Sequence, residues 1–170
     1  MFAIWFLFGK EDGRYLDHII KDLSTQHNSP FFIPHITVYG LVNTNLETID
    51  NLILESIKGV KPFLVEKNSI GYSDDFWKTL FIEIKQNLYL NSINEKLTNG
   101  LSKFSNYEFS PHISVIYKKM NDNKKKFMAQ NLNVKNDFLV SKIVIHEFSN
   151  NVEDWKIVKE YDLGGWNTFY

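Results

Sequence analysis

The sequence of 170 residues contains no cysteine and only one arginine, Arg14, and both shortages exclude kinds of chemistry. Without cysteine the chain forms no disulfide, no thiolate nucleophile and no zinc ribbon. Because disulfides belong to oxidising compartments, we expect a cytoplasmic protein. Arginine is the side chain that grips a phosphate with two parallel hydrogen bonds, so a guanidinium clamp on phosphate is nearly unavailable here.

The chain also lacks a long hydrophobic run and an excess of charge of either sign. The apolar start MFAIWFLF ends at Gly9 and Lys10, well short of the roughly 18 apolar residues of a spanning helix. It also lacks the basic residues that open a signal peptide. With 19 basic and 20 acidic residues the formal net charge is −1. We therefore expect neither a membrane protein nor tight binding to long nucleic acids.

What the sequence does contain is enough apolar material for one domain of ordinary size. Hydrophobic residues make up 44% of the chain and aromatic residues 15%. Apolar residues with periods of two and of 3.6 predict strands and helices, and Thr44-x-x-Glu47 has the capping-box pattern that begins a helix. The predicted strands cover 2–8, 35–41, 62–70, 78–86, 111–117, 138–148 and 155–163, and the predicted helices cover 14–27, 44–58, 88–104 and 121–131.

Two strand-like stretches share one unusual pattern, FFIPHITVYG at 31–40 and FSPHISVIY at 109–117. Each has a proline followed by a histidine, an isoleucine, a hydroxyl residue and a valine. Because the chain has only four prolines and five histidines, two such coincidences are unexpected. The repetition predicts two related lobes that share a cleft, rather than separable domains.

The spacing inside each stretch indicates what the cleft can do. Alternate side chains of a strand share one face, so His35 and Thr37 point the same way, as do His112 and Ser114. The two positions lie about 6.6 Å apart, which leaves room for a phosphate group between imidazole and hydroxyl. With a pKa of about 6.5, one imidazole can be neutral and the other protonated near neutral pH. This pattern favours acid–base cleavage of a phosphodiester.

Other interpretations of the histidines remain open at this stage. A histidine in one strand more often has a structural role, and imidazole is also a common metal ligand. No third ligand stands at a metal-binding spacing, and FSPHISV is not a nucleophile elbow. We expect His18 and His27 at the surface and His146 in a structural or exposed position. The run Lys124–Lys126 is typical of a solvated helix face.

With both motifs in view, the sequence resembles the 2H phosphoesterase superfamily. PHITVYG and SPHISVIY are most similar to its cyclic phosphodiesterase branch, and AIWFLF and DWKIVKEYDL resemble that branch's first and last strands. The resemblance implies an α+β bilobal fold in which two antiparallel-rich β-sheets line a central cleft and helices pack on the outside. It also implies that no metal or cofactor is required. We therefore expect a single bilobal domain over residues 1–170.

The resemblance also implies roles for individual residues. His35 and His112 would form the acid–base pair, and Thr37 and Ser114 would bind phosphate. Tyr117, which ends the second motif, would contact the phosphate or the nucleotide.

In the same branch an aromatic residue just before the fourth strand stacks on the base. Phe76 and Trp77 in DDFWKTLF occupy that place, although such rings also belong in a hydrophobic core.

The leading hypothesis is thus a metal-independent hydrolase of a cyclic phosphate on ribose. Its substrate would be a 2′,3′-cyclic nucleotide or an ADP-ribose 1″,2″-cyclic phosphate. One alternative is a 2H phosphodiesterase that acts on short oligonucleotides, including RNA ends, 2′-5′ oligomers and cyclic oligonucleotide signals. Another is a non-catalytic nucleotide-binding module with the same fold. In every case we expect a small nucleotide ligand, no membrane partner and a monomer.

Overall fold

The computed structural model describes residues 1–165, and this part of the chain forms four α-helices, seven β-strands and two 3-10 turns. The strands are β1 Phe2–Phe8, β2 Ile36–Val42, β3 Phe63–Tyr72, β4 Leu80–Ile84, β5 His112–Ile116, β6 Asp137–Glu147 and β7 Lys156–Asp162. The helices are α1 Lys10–His27, α2 Leu46–Ser56, α3 Leu88–Leu101 and α4 Asp122–Asn131. The order of elements predicted from the sequence is confirmed. Residues 166–170 of the predicted domain lie outside the described residues.

Two predicted helix starts are wrong. Helix α1 begins at Lys10 rather than at residue 14, with Glu11 and Asp12 in its first turn, where acidic side chains favour a helix start. Helix α2 is capped by Asn45, whose side chain accepts a hydrogen bond from the Thr48 backbone at 2.8 Å. The expected capping box from Thr44 does not form, because asparagine one position later is a better cap than threonine.

All strand pairings in the described residues are antiparallel, in the order β2-β1-β6-β3-β4-β5, with β7 also paired to β6. Strand β3 pairs with β6 over Phe63–Glu66 and with β4 over Lys67–Tyr72. The two predicted sheets are therefore two halves of one seven-stranded path, joined through β3.

The two motif strands, β2 and β5, stand at opposite ends of this path, yet they lie against each other in space. Helix α3 packs on β2, and helix α1 packs on β5. The sheet thus curves round until its two ends meet, and the open side between them forms a cleft.

The inward faces of the motif strands hold them in place. Ile36 and Val38 on β2 and Ile113 and Val115 on β5 are completely buried in the main core. Burying a side chain of this size contributes about 1.5–3 kcal/mol. Since side chains alternate, burial of these residues directs the histidines and hydroxyls towards the cleft. No helix within residues 1–165 is long and apolar enough to cross a membrane.

Candidate active site

Each of the two motif histidines forms a hydrogen bond to the backbone carbonyl two residues earlier. Nδ1 of His35 lies 2.6 Å from the Ile33 carbonyl oxygen, and Nδ1 of His112 lies 2.7 Å from the Ser110 carbonyl oxygen. Because a carbonyl only accepts, each Nδ1 carries the proton and each Nε2 is left for a ligand. In both motifs a proline separates the carbonyl from the histidine, and the residue before a proline is held extended.

His35 is buried at one end of a stack of three rings, with Trp5 in the middle. Its imidazole lies 3.7 Å from the ring of Trp5, and the imidazole of His146 lies 3.7 Å from the other face of Trp5. Burial lowers the pKa of His35 to about 3, assisted by the nearby His146 and His112 and opposed by the bond to the Ile33 carbonyl. His35 is therefore neutral at pH 7, and its Nε2 can accept a proton.

His112 is more exposed and has charged neighbours. Burial lowers its pKa below the usual 6.5, and Lys78 lowers it further, while the bond to the Ser110 carbonyl and the charge of Asp75 raise it. At neutral pH both motif imidazoles are thus mostly uncharged. An anion bound between them would favour the protonated form of one ring.

The two motif hydroxyls are held differently. Ser114 is buried and donates its hydroxyl hydrogen to the Trp77 carbonyl at 2.9 Å. Thr37 is half-buried, and its backbone carbonyl accepts from the Tyr107 hydroxyl at 3.2 Å. Because a hydroxyl rotates freely, Ser114 can turn its hydrogen from the carbonyl to a ligand oxygen.

Tyr117 joins the two motifs. Its ring stacks on Phe32 of the first motif, with centroids 3.8 Å apart, and it lines the same cleft as Ser114 of the second motif. Burial raises the phenol pKa well above the usual value, so Tyr117 stays neutral and keeps its hydrogen for donation.

The cleft encloses about 230 Å³. Phe76, one of the seven residues singled out from the sequence, lies behind the cleft wall. Its ring meets Trp77 edge-on at 4.9 Å and packs on the main core, in agreement with the hydrophobic-core interpretation of this residue. The other six, His35, Thr37, Trp77, His112, Ser114 and Tyr117, line the cleft.

Several further cleft residues were not found from the sequence. Trp5 is the cross-strand partner of Thr37, and alternation along β1 could have indicated that it faces the same way. Trp155 lies just before β7 and comes within 5.6 Å of the Trp77 ring and 4.9 Å of the His146 ring. No local pattern marks Trp155, because its place depends on the pairing of β7 with β6. The cleft is also lined by Ala3, Gly40, Leu41, Asp75, Lys78, Tyr107 and Phe148.

His146 is fully buried, with neither ring nitrogen hydrogen-bonded among the described residues. Burial lowers its pKa to about 4, so it stays neutral beneath Trp155. His18 lies at the surface, as predicted, with its imidazole 3.3 Å from the Asp22 carboxylate.

The lysine run departs from its prediction. Lys124 and Lys126 are exposed, but Lys125 is buried and bonded to Asp74 and Asp122. The prediction of a fully solvated face is thus wrong for Lys125, because the ion pairs compensate for its burial.

The two H-x-[T/S] motifs face each other from opposite ends of one antiparallel sheet. This arrangement defines the class of this protein as a 2H phosphoesterase. A family model described as cyclic phosphodiesterase-like protein matches residues 1–163. The chain therefore belongs to the cyclic phosphodiesterase-like protein family.

Known proteins agree with this assignment. The cyclic phosphodiesterase of Arabidopsis thaliana is 18% identical over 126 residues, which cover 74% of this chain and 70% of the plant protein. LigT of E. coli, in a crystal structure with 3′-AMP, has a TM-score of 0.63 at 14% identity over 95% of this chain and 97% of its own. TT0787 of Thermus thermophilus has a TM-score of 0.64 at 13% identity over 97% of this chain and 98% of its own. These similarities to solved structures establish the fold.

Proposed function

We propose that the protein is a metal-independent phosphodiesterase that hydrolyses a cyclic phosphate on ribose, either a 2′,3′-cyclic nucleotide or an ADP-ribose 1″,2″-cyclic phosphate. One observation carries the proposal. His35 and His112 both bind a backbone carbonyl through Nδ1, and both line one cleft from opposite ends of the sheet. This arrangement offers two free Nε2 atoms to one ligand, as acid–base catalysis requires.

The proposed reaction needs only the chain's own side chains and water. One imidazole accepts a proton from water through Nε2 while the water oxygen forms a bond to phosphorus. The bond from phosphorus to one ribose oxygen breaks, and the other imidazole protonates that oxygen. Thr37 and Ser114 donate to the non-bridging oxygens as charge develops on them, and Ser114 turns away from the Trp77 carbonyl to do so.

The aromatic side chains that line the cleft, Tyr117 and Trp77 among them, favour a nucleotide as the substrate. Tyr117 remains a neutral donor and lines the same cleft as Ser114, so we assign it a phosphate or ribose contact. The Trp77 ring lines the cleft and can stack on a base, an interaction worth about 1–3 kcal/mol and tolerant of base identity. Phe76 would support Trp77 from behind rather than touch the base.

The charges of the cleft favour a small ligand over an oligonucleotide. Among the described cleft residues, Lys78 is the one cationic side chain and Asp75 the one carboxylate. A chain of phosphates would need a row of cations along its path. LigT has been crystallised with 3′-AMP, NADP+ and ATP, which supports small nucleotides as ligands of this fold.

The test is hydrolysis of 2′,3′-cyclic nucleotides in the presence of EDTA, with products identified by phosphorus NMR. We expect turnover in the native protein and a loss of at least about 10²-fold in His35→Ala and in His112→Ala. The matched control is His18→Ala, since His18 is an exposed histidine outside the cleft. Turnover that survives either motif substitution would overturn the two-histidine mechanism.

A substrate panel separates the alternatives. It would include ADP-ribose 1″,2″-cyclic phosphate, cyclic dinucleotides and 2′-5′ oligomers. Faster turnover of the oligomers would replace the proposed substrate class, and stoichiometric binding without any product over hours would indicate a binding module instead. Loss of activity in EDTA that a divalent cation restores would contradict metal independence.

A further inference from the structure

The four motif side chains bring no permanent charge to the cleft. Both imidazoles are mostly neutral at pH 7, and Thr37 and Ser114 are hydroxyls. A cyclic phosphate diester carries one negative charge, and its hydrolysis product carries up to two. Moving such an anion from water into an aromatic cleft is costly unless a cation accompanies it. One motif imidazole can supply a positive charge when it is protonated, and a cation from outside the two motifs would add a charge that does not depend on that protonation.

We propose that Lys78 is a substrate-binding residue whose ammonium group holds the phosphate beside His112. The ligand would be a nucleoside cyclic phosphate, or the phosphate monoester formed from it. The assignment of a substrate phosphate rests on the proposed function, and the binding of an anion can be tested without it.

Lys78 and His112 contact the same two residues, Ser110 and Phe81. Its Nζ lies 3.2 Å from the Ser110 hydroxyl oxygen, and the carbonyl of Ser110 binds Nδ1 of His112. Nζ also lies 4.5 Å from the centroid of the Phe81 ring, which in turn meets the His112 ring edge-on at 5.5 Å. Two independent contacts thus place the ammonium group at the His112 side of the cleft.

The ammonium group forms no ion pair with a carboxylate among the described residues, although its charge, after the hydrogen bonds from Ser69 and Asn68, contributes to lowering the pKa of Glu83. Within residues 1–165 no Asp or Glu oxygen lies within the ion-pair distance of 4.0 Å from the Lys78 nitrogen. Asp75 accepts from the Trp77 backbone at 2.9 Å, and Glu83 accepts from the Ser69 hydroxyl at 2.6 Å. A lysine has three hydrogens to donate, so Lys78 keeps donors for a ligand after it has bonded to Ser110.

The backbone at Lys78 is fixed as well. The 3-10 turn Phe76–Lys78 begins at the Asp75 cap, and the Lys78 carbonyl accepts from the Ser73 hydroxyl at 2.6 Å. The same turn supplies the Trp77 carbonyl that holds Ser114. The segment Phe76–Lys78 thus supplies the Lys78 ammonium group, the Trp77 side chain of the cleft lining and the carbonyl that accepts from the Ser114 hydroxyl.

The decisive experiment measures binding of inorganic phosphate by calorimetry, so it does not depend on turnover. We expect Lys78→Met to weaken binding at least about tenfold and Lys78→Arg to stay within a few-fold of the native protein. The matched control is Lys103→Met, because Lys103 also lies over a phenylalanine ring, 4.9 Å from Phe104, but outside the cleft lining.

A second measurement distinguishes loss of the Lys78 charge from a change in the structure of the site. In an NMR titration, Lys78→Met should raise the pKa of His112, since Lys78 lowers it in the native protein, and Lys78→Arg should leave it unchanged. Phosphate binding by Lys78→Met with native affinity would overturn the inference. Should Lys78→Met lose its fold, Lys78→Gln serves in its place, because its amide can still donate to Ser110.

The outcome is distinguishable from failure of the proposed function. If the native protein hydrolyses no cyclic phosphate but Lys78→Met still loses phosphate binding, the function is wrong and the anion site stands. If hydrolysis occurs and Lys78→Met keeps its native kcat and KM, Lys78 has no part in the site.

Discussion

At the scale of single residues, the carbonyl bonds of His35 and His112 determine which nitrogen of each imidazole can react. A ring held only by packing could present either nitrogen, whereas a bond to Nδ1 fixes both tautomer and orientation. The two rings are equivalent in this respect, so the difference between them lies in surroundings. Trp5 stacks on the first ring and Trp155 meets it edge-on, and Lys78 and Asp75 lie near the second.

The lowered pKa values predict how the rate depends on pH. Acid–base catalysis requires one imidazole protonated and the other neutral, and the His35 pKa is about 3 while that of His112 lies below 6.5. We therefore expect kcat/KM to peak on the acidic side of neutrality and to fall as the pH rises through the His112 value, because the acid loses its proton.

The measurement is kcat/KM for a 2′,3′-cyclic nucleotide from pH 4 to 9 (about half-unit steps suffice), since this diester does not titrate in that range. A rate that stays constant up to about pH 8 would contradict the prediction. His18→Ala is the control, because its imidazole is outside the cleft.

At the scale of elements, Gly40 shows how a strand and a loop fit together at the cleft. A Cβ atom at Gly40 would lie 2.4 Å from the Tyr107 ring, and Tyr107 both bonds the Thr37 carbonyl and lines the cleft. We expect Gly40→Ala to displace Tyr107, to destabilise the fold by about 1–3 kcal/mol and to lower kcat/KM. Urea unfolding and kinetics measure the two effects.

The control for this prediction is Gly13→Ala. Gly13 lies in helix α1, and the nearest atom to an added Cβ is 3.9 Å away. Because alanine is the better helix former, we expect this variant to gain about 0.5–1 kcal/mol. A Gly40→Ala protein as stable and active as the native one would show that Tyr107 can move without cost.

The elements also show why some of the site could be predicted and some could not. The strand period of two and the repeated motif placed His35, Thr37, His112 and Ser114 on one cleft, because these features are local. Lys78 could not be assigned from the sequence, since its proposed role depends on the contact between its side chain and Ser110, which comes 32 positions later.

Trp5 and Trp155 were missed for a related reason, and the prediction for His146 left open whether it is structural or exposed. Trp155 reaches the cleft only through the pairing of β7 with β6. His146 reads as an alternating strand residue in sequence, and only cross-strand packing shows that Trp5 and Trp155 bury it.

At the scale of the whole molecule, two buried neutral histidines link stability to pH. Their folded pKa values are about 3 for His35 and about 4 for His146, against about 6.5 in an unfolded chain. Below pH 6.5 the unfolded chain therefore binds more protons, so stability is greatest above that pH and falls as the pH drops. Each histidine contributes up to about 1.4 kcal/mol per pH unit.

Urea unfolding at pH values from about 7.5 to 4.5 measures this slope. We expect His146→Leu to flatten it, because the substitution removes a buried group that must be neutral, and His18→Ala to leave it unchanged. An unaltered slope in His146→Leu would show that His146 is protonated in the folded protein as readily as in the unfolded one.

The single-domain organisation remains a proposal, and the passage of β3 through both halves supports it. A strand hydrogen-bonded to β6 at one end and to β4 at the other leaves no flexible linker about which the halves could swing apart. Ligand would then reach the histidines, which line the cleft, without a hinge movement of the halves. Hinged domains need microseconds or longer to move, so such a step would not limit turnover.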